Sequence, residues 1–223
     1  MVAILAAIGV MQMVGPSILF VGNSHTATGD IPGMVVAGLR LDGNWANVRY
    51  QVWSAGVLND WAANPERVKA LSNGKWDVAV LQGASISQSH KYDYSQAGGI
   101  DLAKKLGENG TRVLYFSEWS RAGWDETAYI EGIYRGIQKE ANGGDIVRVG
   151  LVWDRLRAKA PRYKLISEDG NHARLDGAYL AARAIAAGIR GSDRDFEVPG
   201  ISPGLAQQVS LAMPKVEELL ILR

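Results

Sequence analysis

Ser24, Asp169 and His172 are the residues of this chain whose types and spacing could do covalent chemistry. The chain has no cysteine, so a thiolate nucleophile, a disulfide and a cysteine-ligated metal are all excluded. Ser24 follows the apolar run Ile18-Leu19-Phe20-Val21, which Gly22 and Asn23 close. A short apolar run ended by turn residues reads as a buried strand of a parallel sheet. Ser24 then stands just past the carboxyl end of a strand, where open α/β sheets bind ligands. Backbone N–H groups of a following helix lie close by, which suits a nucleophile that must stabilise an oxyanion. His172, one of three histidines with His25 and His90, has Asp169 three residues before it on the turn that enters a helix. A general base needs a partner that fixes its tautomer, and one short turn can present both groups. Glu118 and Asp154 follow the fourth and fifth strands and are rival partners for His172.

Donors to an oxyanion would come from the same sheet edge. Gly56 follows the second strand in Ser54-Ala55-Gly56, although a glycine there can also simply end a strand. Gln82 and Ser85 follow the third strand, and either side chain can donate. Trp119, Trp124 and Trp153 fall near that edge. Trp119 and Trp153 are candidate substrate contacts, since an aromatic can line an acyl pocket or stack on a sugar; packing is the other reading. His25 adjoins the nucleophile and either lines the pocket or packs. His90 sits in a polar loop and reads as solvated, as does the basic run from Arg155 to Lys164. No histidine pair or carboxylate cluster has metal-ligand spacing, so no metal site is expected.

The elements that must position these residues alternate along the chain. Strands are expected at Ile18–Val21, Val48–Trp53, Trp76–Leu81, Arg112–Phe116 and Ile146–Val152. Helices are expected at Pro32–Leu41, from Asn64-Pro65-Glu66 to about Leu71, and at Gly99–Leu106, Glu126–Ala141 and Ala173–Ile189. Asn64 before Pro65 is a helix start with a capping side chain and proline in the first turn. Strand–helix alternation predicts an α/β fold: a three-layer αβα sandwich around a doubly wound, five-stranded parallel sheet of the flavodoxin-like kind. The 26 glycines sit mostly at element ends, as that fold would place them.

With 223 residues, 47% hydrophobic and 21% charged, the chain can bury a core without staples. A net charge of +1 gives no electrostatic case for a nucleic-acid partner. Residues 1–16 form an apolar segment, and residues 17–223 one domain. Met1 to Val14 is too short to span a bilayer, which needs about 20 residues. It is similar to the apolar region of a signal peptide, but it lacks a basic start and a clear cleavage site. It reads as a trimmed leader or anchor, which points to export, or as a packed helix. Membrane contact is expected only if it is an anchor.

Gly22-Asn23-Ser24 resembles the nucleophile block of the SGNH (GDSL-like) hydrolases, and Asp169-Gly170-Asn171-His172 resembles their late Asp-x-x-His block. The two stand in the family's order, near opposite ends of the chain. Ser54-Ala55-Gly56 resembles the block whose glycine N–H faces the oxyanion. The resemblance covers about residues 17 to 190. It departs at the third strand, where the usual Gly-x-Asn-Asp is replaced by Gln82-Gly83-Ala84-Ser85. That is more similar to the Gln-Gly-Glu-Ser of carbohydrate-acetylesterase branches. The resemblance implies a serine esterase with Ser24, Asp169 and His172 as its triad. It implies an oxyanion hole from the N–H groups of Ser24 and Gly56 and the Gln82 amide, and a small-molecule or carbohydrate ester as substrate. No metal or organic cofactor is implied. Two other readings are a catalytically silent carbohydrate-binding relative and a flavodoxin-like module that holds FMN or phosphate on Thr26-Ala27-Thr28-Gly29-Asp30.

Overall fold

The computed structural model describes residues 15–54 and 56–223. The reading of Met1 to Val14 as leader, anchor or helix lies outside the described residues.

The strands are β1 (Ser17–Gly22), β2 (Arg49–Ser54), β3 (Val78–Leu81), β4 (Arg112–Ser117), β5 (Asp145–Arg148) and β6 (Leu220–Ile221). The helices are α1 (Ser24–Ala27), α2 (Ile31–Arg40), α3 (Leu58–Ala62), α4 (Pro65–Asn73), α5 (Ala97–Glu108), α6 (Thr127–Ala141), α7 (Val149–Lys159), α8 (Leu175–Arg190), α9 (Pro203–Ala212) and α10 (Val216–Leu219). The sheet order is β2-β1-β3-β4-β5-β6. The first five strands are parallel, and β6 pairs antiparallel to β5. The expected five-stranded parallel sheet is thus present, with a sixth, two-residue edge strand from the C-terminal segment.

Alternation along each strand divides the core in two. Ile18, Phe20, Val80, Leu114, Phe116 and Val147 face one layer, with side chains from α2, α7, α8 and α9. Leu19, Val21, Ala79, Leu81, Tyr115 and Ile146 face the other, with side chains from α3, α4, α5 and α6. This is the expected three-layer αβα arrangement. The order reverses between β1 and β3, and a doubly wound sheet opens a crevice at such a switch point.

One expected strand is too long. Ile146–Val152 divides into β5 and the start of α7, so Trp153 and Asp154 lie on a helix and do not follow a strand. An apolar run of this length fits a buried strand and a buried helix turn equally well. Between β1 and the body of α2 the chain forms α1 and a 3-10 turn at Thr28–Asp30. Among the described residues, no helix is long and apolar enough to cross a membrane.

Candidate active site

Ser24 opens α1 directly after β1. Its turn is shaped by Gly22 and Asn23. A Cβ on Gly22 would overlap Thr26 Oγ1 and stand 2.7 Å from Gln82 Oε1, so only glycine fits. Asn23 caps α1, its Oδ1 accepting from the His25 N–H at 2.9 Å. Ser24 Oγ, exposed at the surface, lies 2.8 Å from His172 Nε2.

His172 and Asp169 belong to one tight loop ahead of α8. The Ser167 N–H donates to the His172 carbonyl at 2.8 Å, and Ile166 and Ala173 form an antiparallel bridge across its base. Gly170 takes φ +72, a conformation that glycine adopts without strain. Asp169 Oδ1 accepts from Ser167 Oγ at 2.7 Å, the Asn171 N–H at 2.8 Å and the His172 N–H at 2.9 Å. Its Oδ2 accepts from His172 Nδ1 at 2.6 Å. The Ser167 hydroxyl, then the two backbone N–H groups, then the imidazole hold the Asp169 carboxyl well below the usual carboxylate range. An ionised Asp169 fixes the tautomer of His172 with Nε2 free to accept the Ser24 proton.

The rivals to Asp169 are occupied elsewhere. Asp154 Oδ2 accepts from Thr127 Oγ1 at 2.6 Å. Glu118 is 4% exposed, and its Oε2 accepts from Tyr134 Oη at 2.8 Å.

The Gln82 side chain, expected to donate to an oxyanion, is instead fully buried beneath the turn that carries Ser24, and both ends of its amide are engaged. Oε1 accepts from the Asn23 N–H at 3.0 Å and from Thr26 Oγ1 at 2.8 Å, while Nε2 faces Glu118 Oε1 at 3.4 Å. The strand hands its last inward-facing position to the core, so the amide braces the turn from below. The alternative, Ser85, accepts from Asn59 Nδ2 at 3.1 Å. Gly56 takes φ +72, between β2 and α3. Its carbonyl oxygen and the Asn23 amide both lie within van der Waals reach of a Cβ on Gly83, so the turns after β1, β2 and β3 converge.

Trp153, expected as a substrate contact, is instead fully buried and stacks on Trp119 at 4.4 Å between centroids, inside the core. Its place on α7 is the reason. Trp119 is 1% exposed but borders the cavity beside the site. Its Nε1 donates to the Asn171 carbonyl at 2.9 Å, tying the histidine loop down. His25 stacks on its other side at 5.0 Å and meets the His172 ring edge-on at 5.3 Å. Burial first, and then the neighbouring His172, lower His25 to about 4, against the opposing pull of Asn171 and Asp169. His25 is therefore neutral at neutral pH and places no charge beside His172.

His90 is exposed, as expected, and its ring also packs on Tyr129 at 4.4 Å and pairs with Glu126 at 2.8 Å. Thr26, part of the stretch read as a phosphate loop, is buried with its hydroxyl committed to Gln82. Sequence reasoning missed Tyr134, Ser167 and Asn171. Ser167 carried a readable sign only in its place, a hydroxyl two residues before Asp169 in a turn. Tyr134 carried none.

A cavity of about 200 Å³ adjoins the site, bordered by Asn23, His25, Val57, Ala84, Ile86 and Ile130 on one side and Glu118, Trp119 and Arg121 on the other. Among the described residues, no group of three or more His, Asp or Glu side chains is placed to hold a metal ion.

No family model and no curated protein matches the chain in sequence. Solved structures do match in fold. A DUF4886 family protein from Bacteroides uniformis aligns over 92% of this chain and 99% of its own, with 16% identity and a TM-score of 0.64. The acetylxylan esterase Axe2 from Geobacillus stearothermophilus aligns over 77% of this chain and 94% of its own, with 16% identity and a TM-score of 0.59. A candidate SGNH hydrolase from Slackia heliotrinireducens aligns over 77% and 97%, with 21% identity and a TM-score of 0.58. Sheet order, layers and these likenesses together identify the fold of the chain as that of the SGNH hydrolases.

Proposed function

We propose that this chain is a serine hydrolase that cleaves carboxylic esters of short acyl groups, with O-acetyl groups on carbohydrate as the substrate class. The observation that carries the reading is the continuous relay from Ser24 Oγ through His172 to Asp169. Ser24 attacks the ester carbonyl as His172 Nε2 takes its proton. Asp169 stabilises the imidazolium. The N–H groups of Ser24 and Gly56 hold the tetrahedral oxyanion, with Gln82 bracing the turn beneath. His172 then protonates the leaving alcohol, and water repeats the sequence on the acyl-enzyme.

The cavity supports a short acyl chain. Its volume of about 200 Å³ is below the range of roughly 300–1,000 Å³ usual for drug-sized ligands. Trp124, an exposed aromatic of the kind that sugars stack on, lies beside it under the Arg121 guanidinium. The likeness to an acetylxylan esterase agrees with this class.

The test is a panel of acyl esters of graded chain length, with acetylated sugars among them, given to the wild type and to Ser24→Ala. Hydrolysis is expected to favour acetyl esters and to vanish in Ser24→Ala, and a serine-directed phosphonate should label Ser24 alone. Full activity in Ser24→Ala would overturn the nucleophile. Preference for long chains would overturn the substrate class.

A further inference from the structure

Glu118, directly after β4, carries a buried carboxyl group that the proposed hydrolysis does not use. The hydrogen bonds around it have only one consistent direction. Three of the donors in this cluster are peptide N–H groups, which cannot turn round. The Asn23 N–H fixes the orientation of Gln82, since only Oε1 can accept from it at 3.0 Å. Gln82 Nε2 must therefore point at Glu118 Oε1, 3.4 Å away. The Gly83 and Ala84 N–H groups donate to Tyr134 Oη at 3.1 and 3.3 Å. Tyr134 has one proton left to place, and it goes to Glu118 Oε2 at 2.8 Å. Both chains of donors end on the same carboxylate, within a cluster where Gln82 and Tyr134 are fully buried.

We infer that Glu118 is a positioning residue for the nucleophile: it is the common acceptor that locks the β1 turn, through Gln82, to the loop after β3, through Tyr134. The inference rests on the reading of Ser24 as nucleophile. A carboxyl group keeps acceptor capacity at both oxygens. A carboxamide accepts at one end only, and its NH₂ would meet either the Gln82 amide or the tyrosine proton. Glu118→Gln is therefore not a conservative change here. The direction of the network also names its own repair. In Gln82→Glu/Glu118→Gln the carboxylate at 82 accepts from Asn23, Thr26 and the new amide, and the new amide's oxygen accepts from Tyr134.

The experiment is the four-member cycle of wild type, Gln82→Glu, Glu118→Gln and the double swap, read as kcat, KM and thermal midpoint. Glu118→Gln is expected to lower kcat by about 10²-fold, the scale of a small misplacement of a reacting group, with KM little changed. The double swap is expected to return kcat to within about tenfold of wild type. Wild-type kcat in Glu118→Gln, or a double swap no better than the product of its single variants, overturns the inference. If Glu118→Gln does not fold, Tyr134→Phe carries the test, because it removes only the bridging hydroxyl. A lower kcat at unchanged KM is then expected, and an unchanged kcat overturns the inference. If the wild type hydrolyses no ester, the esterase reading fails by itself. The four thermal midpoints still read the coupling: recovery in the double swap supports it, and its absence overturns it.

Discussion

Asp169 takes three local donors on one oxygen and the imidazole on the other. Its two jobs, shaping the loop and orienting the base, can therefore be separated. Asp169→Asn keeps an acceptor for the loop but sets an NH₂ against His172 Nδ1, which favours the wrong tautomer. The expected loss in kcat is about 10⁴-fold, against about 10⁶-fold for His172→Ala. Combining His172→Ala with Ser24→Ala should add almost nothing, because the two act as one unit; steady-state rates of the single and double variants check this. Gly22 is the other residue with a sharp expectation. A methyl there overlaps Thr26 and crowds Gln82. Gly22→Ala is expected to cost about 1–3 kcal/mol by denaturant unfolding and to remove turnover, since the displaced turn carries Ser24.

The loops that border the cavity are held by a carboxylate at the start of α6. Glu126, 2% exposed, accepts from the Arg121 N–H and guanidinium and pairs with His90, and Arg121 in turn donates to the Gln88 carbonyl. Burial alone would raise this acid, but Arg121 and then His90 outweigh it and bring it down to about 2. The unfolded chain takes up a proton near the ordinary value of 4.5 and the folded chain does so only near 2, so stability is lost as pH falls through that window. Thermal midpoints between pH 2 and 6 should fall in acid for the wild type, and Glu126→Gln should be less stable at pH 6 and flatter below it. Elements of this kind differ in how legible they are. β1 and β3 could be read because four-residue apolar runs end abruptly in Gly-Asn and Gln-Gly. α7 could not, because Val149 to Trp153 is apolar on every side and packs beside α8 against the sheet. Gln82 stands at the strand end as expected, yet its side-chain direction is set by Asn23, Thr26 and Glu118, which are distant in sequence. The dyad loop was legible because all of its bonds are local.

At the scale of the molecule, the sheet divides two cores that differ in how the chain reaches them. The layer of α3 to α6 is drawn from a continuous middle stretch. The layer of α2, α7, α8 and α9 joins residues from both ends, with α8 packed along α2. Asp169 and His172 are three residues apart, whereas Ser24 and His172 are 148 apart. The base and its orienting acid can therefore come together early, from a few neighbouring residues, while the bond to the nucleophile must wait for one of the longest loop closures in the chain. Restored turnover is in that sense a clock for the last stage of folding. In a refolding experiment, helical signal should return ahead of ester hydrolysis, and hydrolysis should recover with the slowest phase of tryptophan fluorescence, which reports the closing of Trp119 and Trp153 against the layer that delivers His172.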